Sequence, residues 1–338
     1  MLSEQVDPLG SILWVGLPPP CFRCNCSATL CAARPVACGI FFFPPCAPRR
    51  AAVFCPPCAP RRAAVLCPLT TLAALRFARA TADPSLFLHT DTSLPLFYVL
   101  VYVDDLVFAT AYTEALTLVK SKLQERHTCS DPSELRSYLC LHITWDRARR
   151  TITLTQSHMV HQVLQRFGFL FSSPQPTPLS TGHLLFAPPS DESIEPSGPY
   201  PELVGCLMYL MTCTRPDLAY PLSLLARYVA PGRHRKVHWD AAKRVLRYLC
   251  STSGMGLVLE GRVPVVLTGH ADASWVDDSA TERSSQGYTF SLGSGSVSWR
   301  STRSSSVLSS SCEAKIYAGA MAAQELHWLT YLLTDLGE

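Results

Sequence analysis

The chain has 338 residues, a hydrophobic share of 48%, a charged share of 16% and a net charge of +3 at pH 7. That is room for roughly two or three domains and enough apolar material for real cores, which excludes a wholly disordered chain; the mild charge neither demands nor forbids a nucleic-acid partner. No apolar run reaches the roughly 18 residues of a membrane span, and the start, MLSEQVD, lacks the basic stretch of a secretory signal, so an intracellular, reducing setting without membrane contact is expected.

Residues 1–68 differ in kind from the rest. Nine of the 15 cysteines lie there, and PPCAPRRAAVFC (44–55) is followed at once by PPCAPRRAAVLC (56–67). A proline-rich dodecamer in two copies is too short for a solenoid, and proline disfavours both helix and sheet. Cys21, Cys24 and Cys26, and the pair Cys55 and Cys58, have zinc-knuckle spacing, but no paired histidine follows. Disorder is the expectation, and a Cys-rich zinc-binding module is the rival.

From Leu69 onward folded patterning sets in. A short helix is predicted over Leu69–Arg79, a turn at Ala82–Ser85, and strands at Leu86–His89 and Phe97–Thr110. Inside the second strand Tyr102-Val103-Asp104-Asp105 puts two adjacent acids in an apolar, β-prone run. Desolvated carboxylates are unfavourable unless compensated. A hairpin turn offering both to divalent cations is one rescue; a solvated strand end is the other. Apolar residues at helical spacing predict a helix over Thr113–His127, with Thr113 as its cap. Leu141–Trp145 and Thr151–Thr155 read as a hairpin around DRARR, and Ser157–Phe167 as a helix stopped by Gly168.

Eight prolines between Pro174 and Pro201 rule out a helix there and mark a linker. Three helices are predicted beyond it, Glu202–Thr212, Pro216–Val229 with a break near Pro221, and Lys236–Cys250. The last carries Lys236, Lys243, Arg244 and Arg247 against Asp240, either a phosphate-tracking face or an ordinary solvated one. Val265–Asp272, Gly287–Leu292 and Ser296–Arg300 read as strands, with a turn at Gly293–Gly295, and Ser309–Leu333 as a long helix.

At this point the blocks ADPSLFL (82–88), YVDDLVFA (102–109), SELRSYL (133–139), LTQSHMVHQVLQRFG (154–168), YPELVGCLMYLMTCTRPDLAY (200–220), HWDAAKRVLRYL (238–249), HADASW (270–275) and SSSCEA (309–314) fall in one order. They resemble the reverse transcriptase–ribonuclease H region of copia-type retrotransposon polyproteins, particularly those of plants. The resemblance runs from about Leu69 to the end and leaves out residues 1–68.

It implies an α+β chain: a disordered N-terminus (1–68), a partial reverse-transcriptase palm with the YxDD hairpin (69–173), a Pro-rich linker (174–200), a helical connection (201–262) and an incomplete ribonuclease H-like domain (263–338). It implies Mg²⁺ or Mn²⁺ as cofactor, no small-molecule cofactor, and RNA template or RNA/DNA hybrid as partner. Asp104 and Asp105 would be catalytic metal ligands and Tyr102 would pack near the primer end, while Lys236, Lys243, Arg244 and Arg247 would contact nucleic acid. Asp272 would be the first ribonuclease H ligand.

The departures are specific. The family's upstream palm aspartate has no counterpart in residues 1–68, whose acids are Glu4 and Asp7. Lys315 stands where the helix should supply a glutamate, and Glu313, two residues earlier, lies about 200° round the axis. Arg76 and Cys140 stand where the family usually has glycine. The expectation is a truncated, degenerate, catalytically dead copy.

Overall fold

The computed structural model describes the backbone of residues 11–16 and, with side chains, residues 70–91, 96–103, 105–127, 129, 134–180, 199–278 and 280–338. Helices and sheets are mixed, as an α+β chain requires. The chain groups into two compact units, Met1–Arg136 with His327–Glu338, and Ser137–Leu326.

The first unit is built on an antiparallel sheet of order β1-β5-β4-β3-β2: β1 Ser11–Gly16, β2 Phe77–Arg79, β3 Leu86–His89, β4 Tyr98–Tyr102 and β5 Asp105–Thr110. Strand alternation sends Phe97, Val99, Val101, Leu106 and Phe108 to one face, where they pack on Leu116, Val119 and Leu123 of helix α1 (Thr113–Arg126). Each such side chain contributes about 1.5–3 kcal/mol when fully buried. Leu86 and Ala80 face the other way and meet Leu332. There Tyr98 donates its hydroxyl to the Leu336 carbonyl (2.6 Å), and the Asp335 carboxylate accepts the Ala82 N–H (2.7 Å).

Three expectations are corrected here. Residues 70–74 form only a single helical turn, because Arg76 adopts φ +64° and Phe77–Arg79 pairs with β3. Thr113 is the first helical residue of α1 rather than its cap; Tyr112 holds the cap position without a side-chain cap bond. Within residues 1–68, expected to be disordered throughout, Ser11–Gly16 forms β1, SILWVG, which pairs antiparallel with β5 from Ser11↔Thr110 to Gly16↔Asp105. Its branched and aromatic residues suit a strand, and β5 offers an otherwise open edge. The cysteines at 21–67 lie outside the described residues.

The second unit opens with an antiparallel sheet of order β6-β7-β8-β9: Ser137–Tyr138, Leu141–Asp146, Thr151–Thr155 and Gly256–Glu260. Helices α2 (Ser157–Arg166), α3 (Tyr200–Cys213), α4 (Ala219–Leu225) and α5 (Lys236–Ser251) share one core of Val160, Leu164, Leu203, Leu207, Leu222, Val245 and Leu249, among others. Since α2 precedes the proline-rich segment and α3 follows it, that segment joins parts of a common core instead of separating two. Its described part docks on α5, where the Gln175 N–H donates to the Arg247 carbonyl (3.3 Å).

Pro221 falls in the first turn of α4, where its missing N–H is not needed. The expected break takes the form of 3₁₀ turns at Pro216–Leu218 and Ala226–Tyr228. Arg215 is fully buried and ties this region to the end of α5: it donates to the Thr252 carbonyl (3.0 Å) and pairs with Asp217 (2.7 Å), which also accepts the Tyr248 hydroxyl (2.8 Å).

Strands β10 (Leu267–Asp278), β11 (Arg283–Leu292) and β12 (Gly295–Val307) form a three-stranded antiparallel meander, followed by helix α6 (Ser311–Leu336). Gly293, at φ +59°, supplies the left-handed residue of the two-residue β11–β12 turn. The Trp299 indole N–H donates to the Met211 carbonyl (2.9 Å), joining β12 to α3.

Candidate functional site

The acidic hairpin comes from β4 and β5. Tyr102 pairs with Asp105, leaving Val103 and Asp104 as a two-residue loop. Such loops need positive φ, and Val103 has φ +51°, a conformation a β-branched residue rarely adopts. Asp105 and Tyr102 are half-buried at the hairpin end, with Gly16 of β1 opposite Asp105 on the other side. Asp104 lies outside the described residues. Carboxylate oxygens are the hard donors that Mg²⁺ takes together with substrate phosphates, so the residue composition of the hairpin, with two adjacent aspartates in sequence, fits a divalent ion.

Asp272, in the middle of β10, does not fit one. It is exposed, and the Lys315 Nζ of α6 donates to its Oδ1 at 2.6 Å. This hydrogen bond, more than any other influence, lowers the Asp272 pKa below the usual carboxylate value. The nearest charge to the carboxylate is thus an ammonium, which repels a metal ion. Glu313 turns to the start of its own helix, accepting from Ser309 N–H (2.6 Å) and hydroxyl (2.7 Å). Among the described residues no group of three or more His, Cys, Asp or Glu side chains stands close enough to hold a metal.

The basic residues of α5 are dispersed. Lys236 and Arg247 are exposed. Lys243 bonds to Asp240 (2.9 Å) and lies over the Trp239 ring, 5.4 Å from its centroid, while Arg244 donates to Thr177 Oγ1 (2.9 Å).

Sequence reasoning did not find the charged cluster at the far end of β10. The register slips between Ser274 and Asp278, and Val276 takes φ +50°. The bulge carries Asp278 inward between Arg227 Nη1 (3.1 Å) and Arg303 Nη1 (2.7 Å), with its side chain 3% exposed. Burial pushes the Asp278 carboxyl up, but the hydrogen bond from Arg303 and the two guanidinium charges outweigh it and the net shift is downward. The one signal in the sequence was a paired Asp277-Asp278 directly after Trp275-Val276.

Residues 61–181 match the family described as reverse transcriptase (RNA-dependent DNA polymerase). Over 268 residues the chain is 32% identical to the Retrovirus-related Pol polyprotein from transposon TNT 1-94 of Nicotiana tabacum, covering 77% of this chain and 20% of that protein. It is also 32% identical over 268 residues to the one from transposon RE2 of Arabidopsis thaliana, covering 79% and 18%. A further relative is the Putative transposon Ty5-1 protein YCL074W of Saccharomyces cerevisiae, 29% identical over 238 residues, 70% of this chain and 76% of that protein. The chain spans about a fifth of the length of the plant polyproteins it matches. Reverse transcriptases generally use divalent metal ions; no helix among the described residues is long and apolar enough to cross a membrane. The chain is related to the retrotransposon Pol polyproteins of copia-type plant transposons, and its residues 61–181 match the reverse transcriptase family.

Proposed function

We propose that this chain descends from an RNA-directed DNA polymerase with ribonuclease H, in which two metal ions served nucleotidyl transfer and hydrolysis of the RNA strand of a hybrid, and that it performs neither reaction. In this reading β4 and β5 are the palm hairpin, and β10–β12 with α6 are the ribonuclease H-like part. Asp104 and Asp105 are the hairpin's metal ligands, Tyr102 packs near a primer end, and RNA template or RNA/DNA hybrid is the partner.

The observation that carries the loss of activity is the Lys315–Asp272 ion pair at 2.6 Å, an internal cation where hydrolysis would need a divalent one. The hairpin supports the same reading from the other unit. A polymerase needs a further acid from a strand beside the hairpin, yet β1, the strand paired to β5, reads Ser-Ile-Leu-Trp-Val-Gly, with Gly16 opposite Asp105.

Purified protein is expected to give no primer extension and no hybrid cleavage with Mg²⁺ or Mn²⁺. Measurable extension abolished by Asp104→Ala overturns the proposal for the hairpin, and hybrid cleavage abolished by Asp272→Asn overturns it for the second site.

A second reading, non-catalytic binding of hybrids through α5, draws on the exposed Lys236 and Arg247. Lys243 is paired with Asp240, whereas Arg244 bonds to the neutral Thr177 hydroxyl and keeps its charge.

A further inference from the structure

Strand β10 lies at the edge of its sheet, and among the described residues no strand pairs with its other side. Residues 268–272, Ser274 and Trp275 are exposed. A long, open edge is a template for another strand. Residues 268–274 lack the usual guards: they contain no proline and no lysine, and the register slips only beyond Ser274. Asp272, their one charged residue, is already paired with Lys315 (2.6 Å).

The ladder fixes which backbone groups face outward. The Ser285 N–H donates to the Asp277 carboxylate (2.6 Å), and so points toward β10. Its neighbour, the Ser284 N–H, donates to Ser304 Oγ (3.2 Å) on β12. Alternation along β11 then aims Gly287, Thr289 and Ser291 at their ladder partners Asp272, His270 and Thr268. The backbone N–H and C=O groups of Gly269, Ala271 and Ala273 therefore point away from the sheet. The Ala273 N–H agrees, since it bonds to the Asp272 carboxylate. None of these three residues has a side chain beyond Cβ to hinder an approach.

This edge is complementary to itself. Two copies paired antiparallel about Ala271 set outward backbone groups opposite each other, Ala271 to Ala271 and Gly269 to Ala273. The intervening pairs lack backbone bonds, which brings their side chains closer. There His270 of each copy meets Asp272 of the other, an imidazole against a carboxylate, and Thr268 meets Ser274. At either end Leu267 meets Trp275, which is 48% exposed. The Ala273 N–H exchanges the Asp272 carboxylate for a carbonyl of the second copy, which frees that carboxylate for His270. Centring the pair on Gly269 or Ala273 instead keeps backbone bonds but loses both His270–Asp272 contacts.

We propose that the chain self-associates through β10, two copies joining their β10–β12 meanders into one continuous sheet about a twofold axis at Ala271. The proposal uses neither metal nor nucleic acid and stands apart from the function proposed above.

The test is sedimentation velocity of the full chain with a thiol reductant, which keeps cysteines from cross-linking copies. An edge contact of this kind belongs with the weak interfaces, so a monomer–dimer transition is expected between about 1 and 100 μM. Ala271→Pro removes an outward N–H, which an edge strand tolerates, and should give a monomer with the far-UV circular dichroism of the unmodified chain. H270D sets like charges opposite each other in both pairs and should weaken the dimer about tenfold. H270D/D272H restores opposite partners and should recover the affinity. A monomer throughout the series overturns the proposal, the edge then being left to a strand of another chain. A dimer that survives Ala271→Pro overturns it too, as does H270D/D272H associating no better than H270D. The two histidine variants decide alone if Ala271→Pro fails to fold.

Discussion

Strand β10 holds two acid–base pairs six residues apart, and their environments are opposite. At Asp272 and Lys315 the side chains are 77% and 61% exposed. At Asp278 the carboxylate is 3% exposed and shared by Arg227 and Arg303. An exposed pair is screened by water and contributes little. A buried carboxylate held by two guanidiniums is one on which neighbouring structure depends, since removing a partner leaves uncompensated charge. The pair that draws attention in the sequence is thus energetically slight, and the one that passes unnoticed fastens the meander to the helical core through Arg227.

The largest expected effect follows from that difference. Asp278→Asn should destabilise the second unit by about 3–5 kcal/mol, because both arginines lose their counter-charge in a buried setting. Urea unfolding followed by far-UV circular dichroism checks this; a loss comparable to that of an exposed pair would place the cluster's role elsewhere. The pH dependence has a definite sign. The folded Asp278 pKa lies below its unfolded value of about 3.9. Its stabilising contribution is therefore complete above that value and disappears as pH falls through the folded one. In Asp278→Asn the acid limb of the stability profile should be flatter by this contribution.

A second prediction concerns the backbone. Arg76 and Cys140, read from the sequence as replacements of usual glycines, adopt φ +64° and +61°. A side chain in the left-handed region costs about 1–2 kcal/mol, and glycine removes the clash at some expense in chain entropy. Arg76→Gly and Cys140→Gly should each raise stability by about 1 kcal/mol, read as a higher thermal midpoint. A fall at Arg76 would mean that its ion pair with Asp91 (3.5 Å) outweighs the strain.

Much of the fold was legible because period and punctuation were clear. The β7–β8 hairpin around DRARR, helix α5, the meander with its Gly293 turn and the long last helix all follow alternation or helical spacing that water and core enforce. What escaped depended on distant partners. Phe77–Arg79 reads as the end of a helix until β3 offers it a ladder. Gly256–Glu260 becomes a strand through its pairing with β8, about a hundred residues earlier. The first sheet's edge strand β1 lies in a proline- and cysteine-rich stretch whose composition speaks against any element. At the site, residue identity alone exposed Lys315, because a cation in an acidic frame is a chemical contradiction. The Arg227–Asp278–Arg303 cluster could not be read, because a bulge, not a sequence period, turns Asp278 inward.

The smallest effect on stability, and the sharpest test of the contrast along β10, is at Lys315. Both partners stand in water, so Lys315→Met should leave the thermal midpoint unchanged within error. Its chemical consequence is larger than its energetic one. Lys315→Glu replaces the ammonium with a second carboxylate at the same place on α6, facing Asp272 across the 2.6 Å contact seen here. Two facing carboxylates repel until a cation comes between them, so the variant should bind Mn²⁺ where the unmodified chain does not. Paramagnetic broadening of the Ala271 and Ala273 amide signals reads this directly, without reference to any catalytic activity. Broadening of equal extent in the unmodified chain would show that Lys315 yields its place to a metal, and the ion pair would then be a resting contact instead of a closed site.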